Sequence, residues 1–402
     1  MKKILIVAYF FPPVRPVEST MTFNFTKYLH CFNWGAVVLC ANKTNGDPVD
    51  NSGAFCIPQN VSVYRVSSPG NILIFVLKKI KILSETFNRI GWVPFALSEA
   101  KIILKDKNIS AIVTRSTAIS SHLIGLKLKA VYKLPWVACF SDPWTQNFYC
   151  PSPNFIIRKV DEFLEKMVML RADKIVVTTE QTKRLFLEKY PVEGKVEVIP
   201  NAYDESDCPK DVIIKRDDKF TITHAGSFYG PRSPEPFLKA LKLLNDKVDM
   251  SGEVKVRLIG SGSGLEKLVL KYGLGNMVQI ISSVPRRDVF QYLLSSDVLV
   301  LIDAPSEKES VFLPSKLVEY INMSKPIIAV VPEGASADVV RATKTGVVLA
   351  IDDTEGIKNA INKYYELFKR SKLEINPNWA EIRKYDTKNC AESLIKIIEK
   401  LV

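Results

Sequence analysis

Short apolar runs rich in Val, Ile and Leu alternate with amphipathic helical patterns along the whole chain, and this alternation constrains the fold more than any other feature. Continuous apolar runs are typical of strands buried on both faces of a parallel sheet. They come in two series, which are separated by a polar stretch at residues 201–219. The predicted strands lie at residues 3–9, 36–41, 61–66, 110–114, 136–140, 174–178 and 196–200, and then at residues 220–224, 254–259, 278–281, 298–302, 326–331 and 347–350.

Two series of strands with intervening helices indicate two doubly wound α/β domains. We predict an N-terminal Rossmann-like domain over residues 1–205 and a second Rossmann-like domain over residues 206–378. Residues 379–402 are predicted to form a C-terminal helix, which either caps the second domain or crosses back to the first. Ligands of such sheets bind at the carboxyl ends of the strands. Two domains that face each other therefore predict a deep cleft with the substrate between them.

Positive charge is concentrated in the first third of the 402 residues. Residues 1–135 hold 17 Lys and Arg against 6 Asp and Glu, whereas the remainder holds 38 against 37. This asymmetry indicates an anionic partner, either a membrane surface or nucleic acid. Residues 71–84 form a basic amphipathic pattern that fits a membrane surface or a core-facing helix with snorkelling lysines, and the local charge favours the membrane. No helix-turn-helix or zinc-finger pattern accompanies the charge, so we expect no nucleic-acid partner.

Cysteine and histidine usage indicates a protein of a reducing compartment with no metal site. The seven cysteines form no CxxC pair, and Cys40 and Cys139 lie in apolar runs, as buried thiols do. The three histidines lack metal-ligand spacing. The apolar N-terminus mimics a signal peptide but ends at Pro12-Pro13, so a first strand is expected. No apolar run approaches the roughly 18 residues of a membrane span, and we predict a cytosolic or peripheral protein.

The segment at residues 311–320, VFLPSKLVEY, predicts the start of a helix that binds phosphate. Pro314 suits the first helical position. The amides of Ser315 and Lys316 would then point out of the helix N-terminus, where the dipole and the lysine charge favour an anion. Glu319 lies one turn on and could accept hydrogen bonds from ribose hydroxyls. The alternative is a surface helix with solvated Lys and Glu. The predicted core-facing positions are Leu317, Val318 and Ile321.

A second segment, at residues 224–233, predicts a glycine-containing loop after a strand. Gly226 would let the backbone approach a ligand closely, with Ser227 beside it. Arg232 precedes a helix predicted at residues 235–244, and a guanidinium suits bidentate binding of a diphosphate. The alternative is an ordinary strand–helix loop with an exposed Arg. Ser233 is the predicted N-cap, and His224 is interpreted as a packed core histidine.

Other glycine patterns and polar residues are less specific. Residues 260–264, GSGSG, do not fit the dinucleotide fingerprint and predict a tight turn between strand and helix. Asp142 follows a predicted strand, where it could act as a general base or bind a sugar hydroxyl, or simply open a turn before Pro143. His122 begins a predicted helix, where a capping or surface role is favoured.

In this order along the chain, the motifs resemble a bacterial family 4 (GT4-like) glycosyltransferase with the GT-B fold, of the type that builds polysaccharides. The segments that carry the resemblance are Lys27-Tyr28-Leu29, Asn33-Trp34-Gly35, residues 142–145 (DPWT), residues 198–204 (VIPNAYD), Gly226-Ser227 with Arg232, and residues 312–320 (FLPSKLVEY) with Lys325-Pro326-Ile327.

The resemblance implies retaining transfer of a sugar from a UDP- or GDP-sugar to an acceptor hydroxyl, without a required metal or other cofactor. Arg232 and Lys316 would hold the diphosphate and stabilise the departing charge, and Glu319 would bind the ribose. The implied catalytic residues are Asp142, Arg232 and Lys316. The implied donor-binding residues also include Gly226, Ser227, Pro314, Ser315, Leu317 and Glu319, with Val284 and Arg286 near the base. The implied acceptor-binding residues are Arg15, Glu18, Ser19, His122 and Asp142.

Enzymes of this type commonly act on polyprenyl-diphosphate-linked acceptors. The resemblance therefore implies a nucleotide-sugar, a lipid-linked or glycan acceptor and an anionic membrane surface as partners. It also implies a peripheral location on the inner face of the cell membrane, which suits the basic first third.

Three positions depart from the family pattern. The first acid of the paired motif E-x7-E falls at Val311, the Gly-Gly of the first loop is replaced by residues 15–19 (RPVES), and the usual catalytic histidine position holds Ser141. These departures leave open a catalytically silent nucleotide-sugar-binding scaffold. A nucleotide-sugar epimerase, which shares the two-domain architecture, is a third alternative.

Overall fold

A computed structural model describes residues 1–14, 17–42, 49, 57–67, 89–208 and 218–402. The chain divides into two compact units. The first unit comprises Met1–Asn201 and Thr387–Val402, and the second comprises Ala202–Asp386. Each unit is built on one parallel sheet.

The sheet of the first unit has seven strands in the order β3-β2-β1-β4-β5-β6-β7. The strands are β1 (Lys2–Ala8), β2 (Trp34–Ala41), β3 (Val61–Val66), β4 (Ile109–Arg115), β5 (Trp136–Phe140), β6 (Lys174–Val177) and β7 (Val196–Val198). The helices are α1 (Val17–Tyr28), α2 (Val93–Asp106), α3 (Ser120–Tyr132), α4 (Phe155–Arg171) and α5 (Glu180–Lys189), with 3-10 turns at Leu29–Phe32 and Ile90–Trp92.

The sheet of the second unit has six strands in the order β10-β9-β8-β11-β12-β13. The strands are β8 (Phe220–Ala225), β9 (Val254–Ile259), β10 (Val278–Ile281), β11 (Val298–Ile302), β12 (Ile327–Val330) and β13 (Gly346–Leu349). The helices are α6 (Glu235–Asn245), α7 (Leu265–Lys271), α8 (Arg286–Leu294), α9 (Ser315–Ile321), α10 (Ala335–Thr343), α11 (Thr354–Lys369) and α12 (Trp379–Ile382), with 3-10 turns at Glu205–Asp207 and Arg383–Tyr385. The last helix, α13 (Thr387–Glu399), belongs to the first unit.

The central strands are apolar throughout because both faces of each sheet are buried. In β11, Val298, Val300 and Ile302 pack into one apolar cluster, whereas Leu299 and Leu301 pack into another. Since successive side chains of a strand point to opposite faces, these clusters cover the two faces of the sheet. The pattern that predicted parallel sheets thus reflects burial on both sides.

Each predicted strand has an observed counterpart, with differences at the ends. The strand predicted at residues 196–200 is shorter, as β7 (Val196–Val198). The helix predicted at residues 379–402 is wrong as a single element, because a 3-10 turn at Arg383–Tyr385 separates α12 from α13. Pro314 is the N-cap of α9 rather than its first residue. Pro234, not Ser233, is the N-cap of α6, although Ser233 Oγ still accepts a hydrogen bond from the Glu235 amide at 3.2 Å.

Some predictions fall outside the described ranges, namely those for Arg15 and for the basic stretch at residues 71–84. Within the described ranges, no helix combines the length and apolar character needed to cross a bilayer. Cys40 and Cys139 are buried free thiols, as predicted.

Candidate functional site

The second sheet reverses its winding direction between β8 and β11, its two central strands. From β8 the order runs through β9 to β10 on one side, and from β11 through β12 to β13 on the other. Ligands of doubly wound sheets bind beyond the carboxyl ends of the strands at such a reversal. Gly226 directly follows β8, and Asp303 directly follows β11. The candidate site of the second unit is built around these two positions.

The loop after β8 packs against the loop after β9 through two glycines. Gly226 and Gly260 have φ angles of 138° and 130°, in the region that favours glycine. A Cβ at Gly260 would lie 2.7 Å from the carbonyl carbon of Gly226. Ser227 Oγ lies 2.9 Å from Ser261 Oγ, and the Phe228 amide donates to the Ser261 carbonyl at 2.8 Å. The two loops are therefore fixed together, and the predicted tight turn at residues 260–264 is present.

Lys316 crosses from the start of α9 to the backbone of Gly226. Its Nζ would lie 2.5 Å from a Cβ at Gly226, so any larger residue there would displace the ammonium from this position. Burial, with a smaller contribution from the charge of Arg232, lowers the pKa of Lys316 to about 7, against the opposing effect of Asp303 and Glu319. An anionic ligand beside Lys316 would stabilise its ammonium form and raise its pKa.

The side chain of His224 packs beneath Lys316. Its Nε2 lies 3.4 Å from Lys316 Nζ, its Nδ1 lies 3.0 Å from the Val300 carbonyl, and its ring stacks on Phe228 with centroids 4.6 Å apart. Burial, with the Lys316 charge, holds the pKa of His224 well below its usual range. The histidine is a packed core residue, as interpreted from the sequence. It is also a neutral neighbour of Lys316, which the sequence did not indicate.

Arg232 is held by Asp303, the residue that follows β11. Asp303 Oδ1 accepts from Arg232 Nη2 at 2.5 Å and from Nε at 3.2 Å. The two side chains are 9% and 1% exposed. Burial alone would lower the pKa of Arg232, but the carboxylate of Asp303 raises it overall. The guanidinium therefore stays charged, and the ring of Tyr229 lies 4.9 Å from its centre.

Glu319 and Arg286 form an ion pair on the same unit. Arg286 Nη2 lies 2.8 Å from Glu319 Oε1 and 3.1 Å from Asp207 Oδ2. Burial works to lower the pKa of Arg286, and the two carboxylates raise it overall. Arg286, which is predicted to lie near the base, is thus paired with Glu319, which is predicted to bind the ribose.

The other predicted donor-binding residues of the second unit differ in exposure. Leu317 is fully buried, so any ligand contact it makes comes from its backbone. Ser315 and Pro314 are partly exposed at the start of α9, and Val284 packs partly buried against the core. Tyr320, which the sequence analysis did not single out, anchors the site from beneath because its hydroxyl accepts from the Ala225 amide at 2.7 Å.

The first sheet reverses its winding direction between β1 and β4, and polar residues lie at the carboxyl ends of its strands too. Ser141 follows β5, and its Oγ donates to the Ser116 carbonyl at 2.8 Å. Asp142 is partly buried in the same loop. Burial raises the pKa of Asp142 to about 7, and the nearby charge of Glu18 adds to this effect. A carboxyl poised near neutrality suits exchange of a proton with a hydroxyl.

His122 and Ser19 are fully buried, so the surface role favoured for His122 is wrong. The ring Nδ1 of His122 lies 2.7 Å from Thr114 Oγ1, and the ring packs on Phe140 at 4.3 Å. Burial lowers the pKa of His122 to about 3, with a contribution from Arg115. The histidine is therefore neutral and fixed behind the strand ends.

Asp303 and Arg115 are polar residues of these strand ends that the sequence analysis missed. Arg115 ends β4, is 9% exposed, and lies with its guanidinium 4.6 Å from the Phe25 ring. Arg115 ends β4 and Asp303 directly follows β11, and both apolar strands lie beside the first strand of their sheet. A charged residue at the end of a fully buried strand is the signal that could have identified them. Within the described ranges, no group of His, Cys, Asp or Glu suits a metal ion.

Both units match glycosyltransferase families. Residues 57–207 match the family described as Glycosyltransferase Family 4, and residues 209–376 match Glycosyl transferases group 1. The chain is therefore a glycosyltransferase, with the GT-B fold of two Rossmann-like domains. It belongs to the family 4 (GT4-like) group, as its motifs predicted. No curated protein sequence matches the chain.

Solved structures share the fold at low sequence identity. Sucrose-phosphate synthase from Thermosynechococcus elongatus has a TM-score of 0.70 and 15% identity, over 100% of this chain and 99% of that chain. Anabaena HepE in complex with UDP-glucose has a TM-score of 0.67 and 15% identity, over 100% of both chains. WaaG, a glycosyltransferase involved in lipopolysaccharide biosynthesis, has a TM-score of 0.59 and 14% identity, over 99% of both chains.

Proposed function

We propose that this glycosyltransferase moves a sugar from a UDP-sugar, with retention of configuration, to a lipid-linked glycan acceptor in cell-surface polysaccharide synthesis. The observation that carries the donor half is the position of Lys316 Nζ against the backbone of Gly226, close enough to Arg232 for the two charges to interact. Two cations at the reversal point of a doubly wound sheet suit a diphosphate. UDP is favoured over GDP because Anabaena HepE binds UDP-glucose.

In the proposed donor complex, Arg232 and Lys316 contact the diphosphate oxygens. As the bond between the sugar and the diphosphate breaks, both cations stabilise the negative charge that develops on the departing nucleotide. Gly226, Ser227 and Ser315 supply backbone and hydroxyl donors at the same point. Glu319 accepts from ribose hydroxyls, while the Arg286 contact at 2.8 Å fixes its orientation.

The acceptor is proposed to bind the first unit. Asp142, with a pKa of about 7, would accept a hydrogen bond or a proton from the attacking hydroxyl. The proposed acceptor site also includes Arg15 and Glu18, and the fully buried Ser19 and His122 would support it from behind without touching the acceptor. A polyprenyl-diphosphate carrier suits the net positive charge of residues 1–135, and WaaG acts in lipopolysaccharide biosynthesis. An enzyme using such an acceptor would work as a peripheral protein at the inner face of the cell membrane.

The donor half is tested by titration calorimetry with UDP, GDP and UDP-glucose. We expect UDP to bind most tightly and Arg232→Ala and Lys316→Met to weaken it by about tenfold or more, since each loses a charged contact. Arg341→Ala is the matched control, because Arg341 is an exposed arginine of the same unit that pairs with Glu333. Equal UDP affinity in all four proteins would show that the diphosphate lies elsewhere.

The reaction is tested by NMR of the UDP-sugar with and without a polyprenyl-diphosphate glycan. Product with the donor's anomeric configuration supports the proposal. Inverted product excludes retention, and isomerised donor in the absence of acceptor indicates an epimerase. Donor binding without turnover on any acceptor indicates a silent scaffold, to which the valine at position 311 would contribute.

A further inference from the structure

Helix α4 (Phe155–Arg171) turns an apolar stripe toward solvent. Ile156, Val160, Phe163 and Leu170 follow a heptad-like spacing along one side, and Ile156 and Phe163 are 74% and 62% exposed. Phe155 at the helix start is 71% exposed, and Phe148 in the preceding loop is also exposed. These six residues are called the docking surface. Large apolar side chains exposed along one side of a helix mark an interaction site.

The opposite side of α4 is anchored by buried carboxylates, so the stripe cannot rotate inward. Glu165 is fully buried and accepts from Tyr190 Oη at 2.5 Å, from Lys189 Nζ at 2.7 Å and from the Thr145 amide at 3.2 Å. Asp161, also buried, accepts from Ser152 Oγ at 2.6 Å. Breaking these bonds would leave buried charge unpaired, which is strongly unfavourable. The outward apolar face is therefore a fixed feature of the fold.

The charged side chains around the docking surface are mainly basic. Arg158, Lys159, Lys166 and Arg171 are exposed on α4. On this fully described helix, Glu162 is the acidic residue outside the buried face, and it pairs with Arg158 and Lys159 at 3.0 Å each. A helix with large apolar side chains between exposed lysines and arginines suits the headgroup region of an anionic bilayer.

A second copy of α4 fits this surface less well. In the heptad frame of the stripe, Lys159 and Lys166 take equivalent flanking positions on one edge. An antiparallel pair of such helices would bring these lysines of the two copies together, and like charges at flanking positions oppose pairing. The same lysines attract anionic phospholipid.

We propose that α4 docks the enzyme on anionic phospholipid through Phe148, Phe155, Ile156, Val160, Phe163 and Leu170. Since α4 also holds Thr145, three residues after Asp142, the lipid-binding element is hydrogen-bonded to the loop proposed to receive the acceptor. The proposal deepens the proposed function and rests on it for its purpose, because a lipid-linked acceptor is confined to the bilayer. The binding itself is measured without donor or acceptor.

The test is co-sedimentation of the full chain with vesicles of phosphatidylcholine and phosphatidylglycerol, compared with vesicles of phosphatidylcholine alone. We expect binding to the anionic vesicles, weakened by about tenfold or more in Ile156→Ser/Phe163→Ser and also in Lys159→Glu/Lys166→Glu. Leu270→Ser/Val248→Ser is the matched control, because Leu270 is as exposed as Ile156, at 74%, but lies on the second unit. The control should bind like the unchanged protein.

Two further measurements keep the result interpretable. Calorimetric UDP binding should be the same in every variant, which shows that the second unit is folded and separates a failed docking proposal from a failed donor site. Far-ultraviolet circular dichroism melting checks the first unit. Anionic-vesicle binding that persists in both α4 variants would overturn the proposal and place the lipid contact elsewhere. Absent binding, with a dimer in light scattering that Ile156→Ser/Phe163→Ser dissociates, would overturn it in favour of a second copy.

Discussion

Arg232 and Asp303 form a buried ion pair in which one carboxylate oxygen accepts from both Nε and Nη2 of the guanidinium. Asp303 Oδ1 also accepts from the Ala304 amide at 2.9 Å, so the carboxylate is itself fixed by the backbone after β11. The guanidinium is thereby oriented before any ligand arrives. A preoriented charge binds a diphosphate at a smaller entropic cost than a free side chain. Arg232 therefore has both a structural and a proposed ligand-binding role.

These two roles can be separated by paired substitutions. We expect Arg232→Ala to reduce the free energy of unfolding by about 3 kcal/mol, because it leaves the carboxylate of Asp303 buried without its cation. The double variant Arg232→Ala/Asp303→Asn should recover most of this stability, since no buried charge remains. UDP binding should stay weak in both variants. Urea denaturation measures the stability and calorimetry the affinity.

One result would contradict the ligand-binding role of Arg232. If the double variant binds UDP as tightly as the unchanged protein, Arg232 acts only in folding and does not contact the diphosphate. Asp303→Asn alone is the complementary control, because it keeps the guanidinium while weakening its orientation. It should bind UDP with an affinity between those of the unchanged protein and Arg232→Ala.

Lys316 predicts a pH dependence of nucleotide binding. With a pKa of about 7 in the free protein, Lys316 is charged below neutrality and loses its proton as the pH rises. A bound diphosphate raises this pKa, so binding above neutrality must take up a proton. The affinity for a diphosphate without its own titration, such as UDP-glucose, should therefore be highest below pH 7 and fall by up to about tenfold per pH unit above pH 7. Calorimetry in buffers of different ionisation enthalpy measures the proton uptake.

Lys316→Met should remove most of this dependence, because Lys316 is the group of the proposed donor site whose pKa is shifted to about 7. Diphosphate oxygens of the nucleotide itself titrate near pH 6 to 7, so UDP-glucose, which has no terminal phosphate, is the better ligand for this measurement. A steep fall in affinity that persists in Lys316→Met would assign the titration to another group.

The strands were predictable because parallel strands buried on both faces are apolar at nearly every position. The run at residues 298–302 gave the same bounds in the sequence and in the structure, as β11 (Val298–Ile302). The C-terminal helix was predicted without its interruption at Arg383–Tyr385, because this segment has no Pro or Gly to mark the end of α12. Local patterns thus predict elements well where burial is uniform.

The site residues were partly predictable from the loops that carry them, but their partners were not. Arg232 and Lys316 lie within motifs that can be recognised in the sequence. Asp303, 71 residues from Arg232, and Asp207, 79 residues from Arg286, become partners only when the sheet brings distant loops together. The pKa shifts of Lys316 and Asp142 depend on three-dimensional burial in the same way. No spacing in a single sequence contains that information.

The close approach of Lys316 to Gly226 predicts that a single methyl group disrupts donor binding. In Gly226→Ala the new Cβ would meet Nζ at 2.5 Å and displace the ammonium, and the φ of 138° adds backbone strain, while the lysine itself is unchanged. We expect UDP affinity to fall nearly as far as in Lys316→Met. Gly230→Ala controls for a methyl group elsewhere in the same loop, because Gly230 has a φ of 59°, which L residues tolerate at a small cost, and nothing within 4 Å of its Cβ position. It should cost about 1 kcal/mol of stability from backbone strain and leave binding intact. Equal losses of affinity in the two variants would attribute the effect to loop strain.

Asp142 predicts opposite effects on activity and on stability. Its pKa is raised from 3.8 to about 7 in the folded protein, so the folded state holds its proton more tightly than the unfolded state between these values. Stability contributed by the protonated form is therefore present at low pH and lost as the pH rises toward 7. Asp142→Asn removes a carboxylate that is costly to bury. We expect it to raise the free energy of unfolding by about 1–3 kcal/mol at pH 8, a value reduced because the side chain is only partly buried, and by much less at pH 4.

The same variant should transfer sugar at least about tenfold more slowly, because an amide cannot accept a proton from the acceptor hydroxyl. Urea denaturation at both pH values, with transfer rates at saturating UDP-sugar, tests the pair of effects. A variant with full activity and the unchanged protein's pH profile of stability would show that Asp142 only opens the turn at Pro143.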